Sequence, residues 1–174
     1  MKILAVCVLG CAVVVLVGAA AVEEEKAQND QTERRNLNKR TVLSLHGWSR
    51  INGRYFHFVP KPMTWAQAEK NCQSIGANLA SVHNTYEYHE IQRLITTATH
   101  EYKETWIGGS DAQQEGTWLW SDGRSLQYTN WAPGEPNNIH GRQHCLQMNH
   151  GAQKSWDDIE CHVQRPSVCE KRSC

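Results

Sequence analysis

The chain carries no net charge. Lys+Arg and Asp+Glu both number 18, so its overall balance has nothing to draw it to nucleic acid or to an acidic membrane. Cysteines occur, but never as CxxC, and a thiolate zinc site is not expected. No N-x-[ST] sequon occurs, so N-glycosylation is not expected either. The usual signatures of catalysis are missing too: there is no GxSxG turn, no HExxH helix and no phosphate-binding glycine loop. With 174 residues, enough for one domain and a leader, these absences favour a binding module over an enzyme.

What is present divides into three parts. Lys2 precedes an apolar run from Ile3 to Val22 that ends in small residues, with Ala19 and Ala21 in an A-x-A arrangement. This predicts a secretory signal peptide over 1–21, and hence an extracellular protein with no membrane insertion once the signal is removed. Residues 22–40 are polar and charged, contain no aromatic residue and hold the dibasic pairs Arg34-Arg35 and Lys39-Arg40. They read as a linker or a propeptide. Residues 41–174 form the expected folded unit.

With Cys7 and Cys11 in the leader, five cysteines remain: Cys72, Cys145, Cys161, Cys169 and Cys174. Secretion makes disulfides the default for them, and spacing alone leaves their connectivity open. Cys174, at the end of the chain after Lys171-Arg172-Ser173, is the natural one to be left over. It is a candidate for an interchain disulfide in a homodimer.

Local patterns outline an α+β fold. Tyr55 to Val59 reads as a strand ended by Pro60. Thr64 and Gln67 form a capping box for a helix to Ile75, with Trp65, Ala68, Cys72 and Ile75 on one face and Gly76 as its stop. Asn84 and Glu87 start a second helix, with Tyr88, Ile91, Leu94 and Ile95 inward. Short apolar runs then follow at Trp106-Ile107, Trp118 to Trp120, Leu126 to Tyr128, Cys145 to Met148 and Ser167 to Cys169. Helices first and strands afterwards predict a mostly antiparallel sheet. Asn130 to Gln143, rich in Pro, Gly and amides, is a long loop of the kind that carries function. Trp65, Trp106 and Trp118 are expected in the core, and His140 and His144 at the surface.

Gly47-Trp48, WIGG at 106–109, NWAPGEPNN at 130–138, WDD at 156–158 and the four spaced cysteines resemble the C-type lectin domain. The likeness runs from about Trp48 to Glu170 and is strongest toward fish skin-mucus and serum lectins of the lactose-binding type. The resemblance implies Cys72–Cys169 and Cys145–Cys161 disulfides, and a secreted lectin with an agglutinating or defensive role in mucus or innate immunity. It also implies one calcium-assisted sugar site made of Glu135, Asn137, Gln143, Asp157 and Asp158. Calcium is a hard cation that takes oxygen ligands, and all five supply them. Pro136 matches the cis proline of that family, because X–Pro alone makes a cis bond affordable. Two departures stand out. An extra cysteine pair of the long-form members is replaced by Ser44 and Tyr55. Gln143 and Asp157 stand where the mannose-type set has Glu and Asn, which moves the expected ligand from mannose-type toward galactoside glycans. Asp111 and Glu115 match an auxiliary calcium site whose other positions hold Asn138 and His144, which are weak replacements for carboxylates. Alternatives on the same scaffold are an ice-binding protein of the type II antifreeze kind and a ligand for a protein receptor.

Overall fold

The computed structural model describes residues 47–172, so the expected leader (1–21), the linker (22–40), Ser44 and Cys174 lie outside the described residues. The described chain opens with strands β1 (Ser49–Ile51) and β2 (Arg54–Met63), joined at Asn52-Gly53, where both residues have positive φ. Such a pair suits a tight hairpin, because glycine and asparagine tolerate the left-handed region. β2 runs past Pro60 to Met63, four residues beyond the stop expected at Val59. Its pairing shifts between Val59 and Met63, so the prolines sit in an irregular stretch that does not need their missing N–H groups.

Helix α1 (Trp65–Ser74) begins with the expected capping box, Gln67 N–H donating to Thr64 Oγ1 at 3.3 Å and Thr64 N–H to Gln67 Oε1 at 3.1 Å. Ala68 and Cys72 face the core, but Ile75 is 43% exposed, contrary to the helical pattern. The helix has ended by then: Ile75 is its C-cap, with non-helical φ, and is turned off the buried face. After the short β3 (Asn78–Leu79), helix α2 (Thr85–Thr99) starts at Asn84, whose side chain accepts the Glu87 N–H at 2.9 Å. Only half of that capping box forms. The Glu87 carboxylate turns instead to Arg54 and to the His83 N–H.

The second half supplies β4 (Thr105–Ser110), β5 (Leu119–Trp120), β6 (Cys145–His150), β7 (Ser155–Ile159) and β8 (Arg165–Arg172). Along the sheet the order is β1-β2-β8-β4-β6-β7, with β3 paired to β8 and β5 to β4. Pairing is antiparallel except between β4 and β8. Leu126 to Tyr128 forms no strand; Leu126 and Tyr128 pack as loop side chains against the core. Gly108 and Gly109 sit where neighbours leave no room. A Cβ would lie 2.7 Å from Leu79 O in the first case and 2.7 Å from Leu146 Cδ1 in the second. Trp106 is fully buried, and Trp118 is half-buried at the edge of the core.

Both disulfides form as the resemblance implies. Cys72–Cys169 ties α1 to β8, and Cys145–Cys161 ties the start of β6 to the turn after β7. They close loops of 97 and 16 residues. In the chain-entropy model these contribute about 4.7 and about 3 kcal/mol. Under the sheet, Arg54 is 8% exposed and pairs with Glu87 at 2.7 Å and with Glu170, bringing together β2, α2 and β8. Arg54→Met would leave two carboxylates in the interior without this cation. Urea unfolding should show a loss of about 3–5 kcal/mol.

Candidate functional site

The long loop 130–143 is held against β7 by its backbone. Trp156 N–H donates to Asn130 O at 2.7 Å, and Ala132 N–H donates to Trp156 O at 2.9 Å. The indole of Trp156 is fully buried, with Trp120, Tyr128 and Trp131 edge-on to it, their centroids 5.6–5.8 Å away. Two residues further on, Asp158 is also fully buried, and its two oxygens accept the Asn137 N–H at 3.0 Å and the Asn138 N–H at 2.9 Å. Strand and loop are thus clamped at both ends of the Glu135–Pro136–Asn137 segment, whose first peptide is cis.

All five residues expected at the site meet here. Asn137 Nδ2 donates to Glu135 Oε1 at 2.8 Å. The Ile139 N–H is shared by Asn137 Oδ1 at 3.2 Å and Gln143 Oε1 at 2.6 Å, which brings the two amides side by side. With one lone pair of Oε1 taken by that N–H, Gln143 offers an incoming group its NH₂ donors and the second lone pair. Asp157, 6% exposed, has a carboxylate oxygen within 4.8 Å of one from Glu135.

Three carboxylates in so small a volume repel one another. Burial, then the charge of Asp157 and contact with Asp158, push the Glu135 carboxyl up to about 7. Burial also raises Asp157, against a hydrogen bond from Gln147. Glu135 Oε2 is buried and has no hydrogen-bond partner. An unpartnered carboxylate oxygen beside two other acids, with amide oxygens next to it, is a donor set suited to a hard cation.

The site contains more than the sequence suggested. Gln147 Nε2 donates to Asp157 Oδ2 at 2.8 Å, and His150 Nδ1 lies 3.2 Å from the same oxygen. Regular alternation would put 147 and 149 on one face. A bulge between Gln147 and His150, with Asn149 at φ 71°, puts His150 there instead. No local sequence signal marks that bulge. Behind them Arg165 bridges Gln147 Oε1 and Glu104 Oε2, each at 2.9 Å.

A second cluster lies on the other side of the loop. Asp111, Glu115, Asn138 and His144, the four positions of the auxiliary site, also come together. His144 Nδ1 is 3.1 Å from Asp111 Oδ1, and Asn138 Nδ2 donates to Glu115. Asp111 Oδ2 accepts the Gly116 N–H at 2.8 Å. The amide and imidazole thus contribute hydrogen bonds to the two acids.

The chain has known relatives in sequence and in fold. Residues 61–171 match the model of the lectin C-type domain. Ladderlectin of Oncorhynchus mykiss is 38% identical over 96% of this chain and 92% of its own length. The galactose-specific lectin nattectin of Thalassophryne nattereri is 40% identical over 78% of this chain and 86% of its own. The herring type II antifreeze protein superposes with a TM-score of 0.68 at 37% identity, covering 74% of this chain and 98% of that one. The family match, the paired cysteines and the clamped loop lead to one assignment: this chain belongs to the C-type lectin domain family.

Proposed function

We propose that the protein is a secreted, non-catalytic lectin that binds glycans on cell or microbial surfaces. Its site is formed by Glu135, Asn137, Gln143, Asp157 and Asp158, and calcium assists it. The observation that carries this reading is the buried, unpartnered Oε2 of Glu135 among three carboxylates and two amides. Calcium bound by these oxygens would neutralise the acids and present coordination positions to two adjacent sugar hydroxyls. The protein side chains then donate to and accept from the same hydroxyls. Among the described residues no helix is long and apolar enough to cross a membrane.

Asp158 is a poor first target, because its carboxylate also holds the loop backbone. Glu135→Gln removes one charge and keeps an oxygen for Asn137 Nδ2. Binding to immobilised sugar should fall at least tenfold in that variant, about 1.4 kcal/mol, with the unfolding midpoint little changed. EDTA should release the wild type from the same resin. Retention in EDTA would keep the sugar site and remove calcium from it.

Galactosides are the favoured ligand class, because Gln143 donates where a mannose-type set accepts and Asp157 accepts where it donates. Restoring the other polarity with Gln143→Glu and Asp157→Asn conserves total charge. In competition assays the ranking should move from lactose toward mannose. An unchanged ranking would show that hydroxyl polarity does not select the sugar. The likeness to a type II antifreeze protein makes thermal hysteresis the matching control, and the lectin reading expects none.

Cys174 is proposed to join two chains, which would give the two linked sites that agglutination needs. Linkage gains avidity of about 10²–10⁴ when both sites can engage. Non-reducing electrophoresis should show a band at twice the monomer mass that Cys174→Ser abolishes.

A further inference from the structure

His150 has no part in an all-oxygen ion set, yet its ring is turned toward the acids. Nδ1 lies 3.2 Å from Asp157 Oδ2 and 3.5 Å from Glu104 Oε1. Glu104 is kept at the edge of the cluster by Arg165, at 2.9 Å. Glu135, His150 and Asp157 each offer a ligand atom within 4.8 Å of the others. That spacing suits a small metal ion. Zinc bonds imidazole nitrogen and carboxylate oxygen at about 2.0–2.2 Å in a tetrahedron, which separates its ligands by about 3.3–3.5 Å. His150 and Asp157 stand close to that distance already, and a rotation of the Glu135 side chain brings in the third ligand. Glu135 Oε2, buried and without a donor, is free to make the bond.

A second cluster with the same ligand types, Asp111, Glu115 and His144, also gathers within 4.8 Å. Its acids have donors in Gly116, Asn138 and His144 itself, and none of its oxygens is buried without a partner. The orphaned oxygen singles out the cluster at His150.

Ligand chemistry separates the two ions. Calcium is hard and takes about six to eight oxygens, so an imidazole adds nothing to its binding. Imidazole suits zinc and its neighbours in the transition series. We propose that Glu135, His150 and Asp157 form a zinc-class site that overlaps the calcium set, so that zinc switches sugar binding off. The ion site stands on these three side chains alone, and the switch rests on the lectin reading above. Glu135 and Asp157 belong to both sets, so one ion excludes the other. Coordination number sets the consequence. Calcium keeps positions open for two adjacent hydroxyls beyond its protein ligands. A four-coordinate ion with three protein ligands keeps one, which cannot chelate a pair of hydroxyls.

The test begins with chelator-stripped protein titrated with zinc chloride by calorimetry at neutral pH. The wild type should take up zinc. His150→Ala should weaken that uptake by about tenfold or more, and His144→Ala should leave it within about twofold. Zinc added to the calcium-loaded wild type on immobilised sugar should cut retention by about tenfold or more. In His150→Ala the same zinc should change retention by less than about twofold. If His150→Ala does not fold, proton NMR of the wild type decides, because zinc should shift the His150 ring resonances and spare those of His144. No uptake by the stripped wild type, or uptake that survives His150→Ala, overturns the site. Uptake that His144→Ala removes and His150→Ala spares assigns the ion to the second cluster and overturns it too. Uptake through His150 with sugar retention unchanged overturns the switch. A wild type that holds no sugar removes the lectin reading, and the zinc titration still decides the ion site.

Discussion

The Asp158 carboxylate joins the scaffold to the long loop 130–143. It is fully buried, and its two oxygens are taken by successive backbone N–H groups of a loop that has little regular structure of its own. A buried carboxylate without donors would be very costly, and a loop segment with free N–H groups facing the interior would be costly as well. Each satisfies the other. The position of Glu135 and Asn137 follows from that exchange, since both belong to the segment the carboxylate holds. Below it, the indole of Trp156 fixes β7 against three aromatic rings, so the clamp itself rests on a packed base.

Rigidity beneath the site matters because the site is electrostatically unfavourable. Glu135, Asp157 and Asp158 converge, the last two buried, and the first carries an oxygen with no partner. Left to relax, three acids would move apart into water. The β6–β7 pairing, the Cys145–Cys161 disulfide and the Gln147–Asp157 hydrogen bond oppose that. Stability drawn from the scaffold thus offsets the cost of holding three acids together, the relation expected where a frame supports a binding site.

The two acidic clusters flanking the loop resolve the same problem differently. Around Asp111, an imidazole, an amide and a backbone N–H supply donors, and the cluster is satisfied by hydrogen bonds within the chain. Around Glu135, donors are fewer than acceptors. Asn138 takes part in both, giving its N–H to Asp158 and its side chain to Glu115, so the satisfied cluster braces the unsatisfied one.

Much of this was legible in the residues. The motifs around Trp106, Glu135 and Trp156 mark a C-type lectin domain. The Thr64/Gln67 box and the spacing of Tyr88, Ile91 and Ile95 mark the two helices, because helix caps and helical faces are local properties. The five candidate residues lie in two short segments that motif likeness alone could pair. Other features needed the folded chain. Ile75 leaves the buried face because its helix ends a residue earlier than periodicity implies. Glu87 turns from its own helix cap to Arg54, a partner 33 positions away. His150 reaches Asp157 only through a bulge set by strand pairing. Local sequence determines which residues can cap, turn or ligate. Which of them meet is decided by register and packing between distant segments, and those are properties of the whole chain.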